Sequence, residues 1–148
     1  MAEKGSYFVL TLPLDTKPWQ EAILNKRFEV NRKIYNALLQ GGFKRYCQMA
    51  QTRKYRELIE KLDQTREAAD RKKIYRELDE MAAAYRLTKA ELSRDSTQYR
   101  QFFPENTDAP IVQNLSANAW KSLYSMMCRR SKTLHLKEEG QLNVLEGK

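Results

Sequence analysis

Apolar residues alternate at both ends of this chain and recur every three or four positions between them. Near the start, YFVLTLPL (residues 7–14) places Phe8, Leu10, Leu12 and Leu14 on one face, the period-two spacing of a strand. Pro13 has no N–H to give to a ladder, so that strand belongs on an edge or near its own end. LDTKPW then opens a helix: Asp15 or Thr16 can cap it and Pro18 suits its first turn. The helix runs to about Gln40, where Gly41 and Gly42 can terminate it. Two further helices are predicted over residues 42–63 and 65–86. Cys47, Ala50, Leu58, Ile59 and Leu62 carry the first, and Ala68, Ile74, Tyr75, Leu78, Met81, Ala82 and Tyr85 the second. A short turn near Gln64 makes them an antiparallel hairpin. Thr88 and Glu91 have capping-box spacing for a fourth helix, which must stop near Phe103 because Pro104 disfavours helix in the residue before it. ENTDAP is a loop, and residues 111–131 form the last long helix. KTLHLKEEGQLNVLEGK (residues 132–148) alternates again through Leu134, Leu136, Leu142 and Val144 around a Glu-Glu-Gly turn, which reads as a hairpin.

The expected fold is mainly α with a small antiparallel β-sheet. An N-terminal strand (1–16) and a C-terminal hairpin (132–148) bracket an inserted bundle of about five helices (17–131). Three short strands leave open edges. A chain that ends inside such a region is expected to be the front part of something longer, truncated before a further domain.

Composition narrows the function. The 148 residues suit one domain, and 41% apolar content supports a modest core. A formal charge of +8 allows a polyanionic partner. Cys47, Cys128 and the single histidine, His135, are too few for a four-ligand structural zinc site. The cysteines are expected to be free buried thiols in a reducing compartment. With no signal peptide and no apolar run of membrane-spanning length, the expected location is the cytoplasm.

The charge is unevenly placed. Residues 17–46 hold seven basic and two acidic residues, and residues 111–137 hold five basic and no acidic ones. Residues 47–110 nearly balance at thirteen against twelve. Their charges read as solvated faces with pairs such as Glu57–Lys61 and Glu67–Arg71. On a helical wheel, the last helix gathers Val112, Leu115, Ala119, Trp120, Leu123, Tyr124, Met126 and Met127 on one side. The opposite stripe is Asn114, Asn118, Lys121, Ser125 and Arg129. Amides, a hydroxyl and cations without a carboxylate suit phosphate and sugar oxygens, although a plain solvated face fits the same residues. In the first helix, apolar residues from Trp19 to Leu39 span more than half the wheel, which implies contact on two sides. Arg27 and Asn31 fall inside that arc and are expected to make internal contacts. Arg32 and Asn36 stand on the narrow polar face with Lys33, Lys26 and Asn25, where ligand contact competes with solvation.

The helix pattern F-x-x-x-R-x-x-Y-N-x-L-L, carried by Phe28, Arg32, Tyr35, Asn36, Leu38 and Leu39, follows the N-terminal strand. It precedes YRLTKAEL at residues 85–92, QNLSANAWKSLYSMM at 113–127 and the basic segment 132–148. In this order the pieces resemble the start of TnpB-type proteins, the OrfB "transposases" of insertion sequences and their relatives, the type V CRISPR effectors. Asn31 departs from the small residue usual there. The resemblance implies a wedge sheet with an inserted recognition lobe. Such a module contacts guide RNA, the guide–target heteroduplex and target-adjacent DNA, while base pairing reads the sequence. It also implies a prokaryotic, transposon-associated setting and a RuvC-like nuclease part on the same or a separate chain.

Arg32, Lys33, Tyr35, Asn36, Asn114, Asn118, Lys121, Ser125 and Arg129 are the expected nucleic-acid contacts. Catalysis by this chain is not expected. Glu57, Glu60, Asp63, Glu67 and Asp70 are interleaved with cations, and a two-metal nuclease needs converging carboxylates. No cofactor, metal or membrane is expected. The alternative is a stand-alone helical module that docks a protein through its wide apolar first helix. The two Arg/Asn pairs set a contrast: Asn36→Ala should weaken binding more than stability, and Asn31→Ala the reverse.

Overall fold

The structure, a computed structural model, describes residues 9–142 and 144–145. Five helices follow one another: α1 (Pro18–Ala50), α2 (Arg53–Gln64), α3 (Ala68–Ala84), α4 (Lys89–Phe102) and α5 (Ala109–Met127). α1 is the axis. It packs most extensively on α5, which is also covered by α4, and its far end meets the α2–α3 hairpin. Ile34, Leu38 and Leu39 of α1 are almost fully buried with Leu87, Leu92, Val112, Leu123 and Met127. Each such side chain contributes about 1.5–3 kcal/mol through burial, which offsets the entropy lost in ordering the helices.

Local signals explain most of the ends. Thr88 Oγ1 accepts the Glu91 N–H at 3.2 Å, so half of the expected capping box forms. Asp108 caps α5 by accepting the Ile111 N–H at 3.1 Å, which starts that helix two residues earlier than expected. The first cap falls on Lys17 rather than Asp15 or Thr16: the Lys17 N–H is taken by Gln20 Oε1 at 2.9 Å, with Pro18 in the first turn as expected.

Gly41 and Gly42 do not terminate α1, which continues to Ala50. Helix is interrupted instead at Gln51 and Thr52. There Thr52 Oγ1 donates to Met49 O at 2.7 Å and accepts from the Tyr55 N–H at 3.3 Å, closing α1 and capping α2 together. Gly42 serves a close approach: a Cβ at this buried position would collide with Leu123 Cδ1 of α5. Gly42→Leu, which keeps helix propensity, should therefore cost about 1–3 kcal/mol by overpacking, read as a lowered urea midpoint at unchanged m. An undiminished midpoint would mean that α1 and α5 can separate freely.

The small sheet is not formed: no strand occurs among the described residues. Tyr7 and Phe8 lie outside them. Val9, Leu10, Leu12 and Leu14 expose 70–92% of their surface. A period-two pattern becomes a strand only with a partner, and at Lys137 the backbone is engaged elsewhere. Its N–H and its C=O are both held by the Asn36 side chain. The Glu138–Gln141 turn does appear, with Gly140 at φ 81° and the Gln141 N–H on Glu138 O at 3.0 Å, but no ladder joins the described residues of its arms. Nor is the apolar arc of α1 covered throughout, since Trp19 is 60% and Ile23 48% exposed.

The charge pairs differ in detail from expectation. Glu57 bonds Arg53 at 2.8 Å rather than Lys61. Arg71 turns from Glu67 to donate to Leu62 O and Thr65 O at 3.0 and 2.8 Å, closing the end of α2. Cys47 and Cys128 are free thiols, and burial pushes the Cys128 pKa up, which favours the unreactive thiol.

Candidate nucleic-acid interface

Spacing of three and four along α5 aligns Asn114, Asn118, Lys121, Ser122 and Ser125 on one face, opposite the buried Leu115, Ala119 and Leu123. That face meets a segment without regular structure, residues 131–142 and 144–145, here called the strap. A groove runs between them. One lobe, about 410 Å³, is lined by Asn114, Asn118, Lys121 and Ser122 from α5 and by Lys137, Gln141 and Leu142 from the strap. The second, about 670 Å³, is lined by Ser122 and Ser125 opposite Ser131, Thr133, His135 and Lys137. Tyr35, Ser122, Lys137 and Gln141 border both lobes and join them. No carboxylate lines either lobe among the described residues. Amides, hydroxyls and lysines therefore face a common space without an anion to neutralise them.

The strap is held in place by residues of α1. Asn36 Oδ1 accepts the Lys137 N–H at 2.8 Å, and Asn36 Nδ2 donates to Lys137 O at 2.8 Å. Arg32 adds a bond to the same carbonyl at 2.9 Å. Its guanidinium is also bidentate to Glu29, which raises the Arg32 pKa and holds the Glu29 carboxyl below its usual range. Tyr35, buried between them, forms the floor, and Lys137 Nζ lies 5.3 Å from its ring centroid.

The expected contacts therefore divide. Asn114, Asn118, Lys121 and Ser125 line the groove as a set, with Tyr35 beneath. Lys33 is exposed on α1 and does not line it. Arg32 and Asn36 do not present free side chains to a ligand; they build the groove by fixing its second wall. Arg129 is not on the stripe. α5 stops at Met127 in a Schellman turn, with the Arg130 N–H on Ser125 O at 2.8 Å and the Arg129 N–H on Met126 O at 3.1 Å. Arg129 occupies the left-handed position of that turn (φ 58°) and borders a separate hollow with Tyr46, Tyr55, Glu60 and Asp63. No glycine in the sequence marks the turn.

The second pair behaves as one residue and not two. Asn31, fully buried, donates to Arg27 O at 2.8 Å and Asn106 O at 3.2 Å and accepts from Thr107 Oγ1 at 2.7 Å. Arg27 takes part only through its backbone, and its side chain is exposed. Ser122, Lys137 and Gln141 are groove residues that the sequence pattern did not single out. Ser122 follows Lys121 on the same face, whereas Lys137 and Gln141 reach the groove through long-range folding.

Comparison with protein-family models, with curated proteins and with solved structures returned no match. No described helix is long and apolar enough to cross a membrane. No group of three or more described His, Cys, Asp or Glu residues is placed to hold a metal ion.

Proposed function

We propose that this chain is a nucleic-acid-binding module whose contact surface is the groove between α5 and the strap. The observation that carries the reading is a continuous face of Asn118, Lys121, Ser122 and Ser125 opposite Lys137, with no carboxylate among the described lining residues. Ammonium groups supply sequence-independent attraction to phosphates, and the amides and hydroxyls add neutral hydrogen bonds. The sequence resemblance supplies the finer assignment. The chain is the recognition module of an RNA-guided DNA endonuclease in a prokaryotic cell. It contacts guide RNA and target DNA beside a nuclease part on the same or another chain, and itself performs no bond cleavage.

Neutralising the two groove lysines tests the reading. Lys121 is exposed, and the strap is tethered through the Lys137 backbone rather than its side chain, so Lys121→Ala with Lys137→Ala leaves the tether intact. RNA affinity should fall roughly tenfold or more. The slope of log K against log salt should flatten by roughly 1.5, since each phosphate contact contributes about 0.7–0.9. Unchanged affinity and slope in a fluorescence-anisotropy salt titration would refute the groove as the contact surface.

A second reading, docking of a protein partner, is favoured by Leu10, Leu12, Leu14, Trp19 and Ile23, all exposed at the start of the described chain. It predicts a stable homodimer by light scattering that is indifferent to RNA and is lost in Trp19→Glu. A monomer in both conditions removes self-association from this reading.

A further inference from the structure

We propose that the groove takes unpaired nucleotides: base edges enter between α5 and the strap, and phosphates rest at Lys121 and Lys137. The inference rests on the nucleic-acid reading above and narrows its ligand to the single-stranded form. The first reason is shape. The site is a slot with two walls and a floor. Its lobes of about 410 and 670 Å³ each fall within the roughly 300–1,000 Å³ that encloses one small organic ligand, the bulk of a nucleotide. A duplex is a wide, stiff cylinder whose base edges are already paired. It can lie across the rims of such a slot and reach the lysines, but it cannot insert bases. A single strand can turn its bases in and offer their hydrogen-bonding edges.

The second reason is the lining. A face that met only backbone would need cations and little else. This groove instead sets amides beside accessible apolar surface: Asn118 and Gln141 share the first lobe with the half-buried Ile111 and the exposed Val144. Asn and Gln present a donor and an acceptor together, which matches base edges, while the apolar side chains suit base faces. Gln141 is held for this task, because its Oε1 accepts the Glu138 N–H at 2.7 Å and its NH2 is the end left to donate. The third reason concerns stacking. Tyr35 is the aromatic residue common to both lobes, but it is buried and faces Lys137 Nζ. Recognition in this groove therefore proceeds mainly through edges and phosphates, with the exposed His135 ring of the second lobe as the accessible stacking surface among the described lining residues.

The test compares one labelled RNA of about 12 nucleotides, within the usual range of single-strand site sizes, alone and annealed to its DNA complement. Binding is followed by anisotropy at low salt for the wild type, for Asn118→Ala with Gln141→Ala, and for the double lysine variant. Asn118 and Gln141 are exposed, and circular dichroism should show each variant folded. The expected result is tighter binding of the single strand. The amide variant should lose roughly tenfold or more for the single strand alone, the scale of lost base contacts, while the lysine variant loses affinity for both forms. Equal affinities, or an amide variant that weakens both forms alike, would overturn the single-strand assignment and leave the nucleic-acid reading standing. A single-strand preference that survives in the amide variant would overturn the groove as its source. Failure of the wild type to bind either form would overturn both.

Discussion

Asn31→Ala should lower the unfolding free energy by about 2–4 kcal/mol, the cost of stranding buried polar groups. The side chain is fully enclosed, and each end of its amide is used. Nδ2 reaches back one turn to Arg27 O and across to Asn106 O, while Oδ1 accepts the hydroxyl of the buried Thr107. Alanine leaves the carbonyl of the half-buried Asn106 and the hydroxyl of the buried Thr107 without this partner. These two residues lie in the loop that delivers Asp108 to its capping position, so the loss loosens the start of α5 as well. A urea titration should show a lower midpoint at unchanged m, and a thermal melt a drop of roughly 5–15 °C. RNA affinity, measured well below the new midpoint, should be almost unchanged, because Asn31 lines neither lobe of the groove. A loss below about 1 kcal/mol would show that the loop relaxes and finds water, making the network dispensable.

How much of this was readable depended on whether the deciding interaction was local. Thr88 caps within three residues of itself, and α3, α4 and α5 stand close to their expected positions, although the Asp108 cap lies in the segment expected to be loop. The polar stripe of α5 was readable because a wheel needs only one helix. Gly42 was misread because its signal is shared by two situations, a helix end and a close helix crossing, and only Leu123, some eighty residues away, separates them. The expected strands failed for a similar reason. Alternation specifies a face but not a partner, and no run of residues reveals that Asn36 will occupy the Lys137 peptide a hundred residues on. Arg129 was lost from the stripe because the helix stops two residues before it without a glycine. Glu29 is a local signal for the role of Arg32. Three residues before Arg32, it is placed to take that guanidinium and lower its availability to phosphate.

Asn36→Ala should weaken nucleic-acid binding more than it weakens the fold, through the strap and not through a lost contact. Removing the amide deletes both bonds to the Lys137 peptide and leaves Arg32 as the remaining tether there. No ladder among the described strap residues holds its course at Lys137, and Leu136 beside the tether is 45% exposed. Loosening there exposes little core, because Leu134, Leu142 and Leu145 still pack the strap on either side, and the global cost should stay near 1–2 kcal/mol as water replaces the lost partners at a half-buried site. The groove, however, loses its second wall: Lys137 and Gln141 are no longer held opposite Lys121 and Asn118. Affinity for the single-stranded RNA should fall roughly tenfold, and amide exchange at Lys137 and through the strap should accelerate by a similar factor. The joint readout separates two roles for Asn36. If it touched the ligand directly, affinity would fall while the strap kept its protection; if it holds the wall, the two change together. Asn36→Asp sharpens the distinction, because its oxygen can still accept the Lys137 N–H while the donor to Lys137 O is gone. Partial protection with partial affinity in that variant is the outcome a positioning role requires.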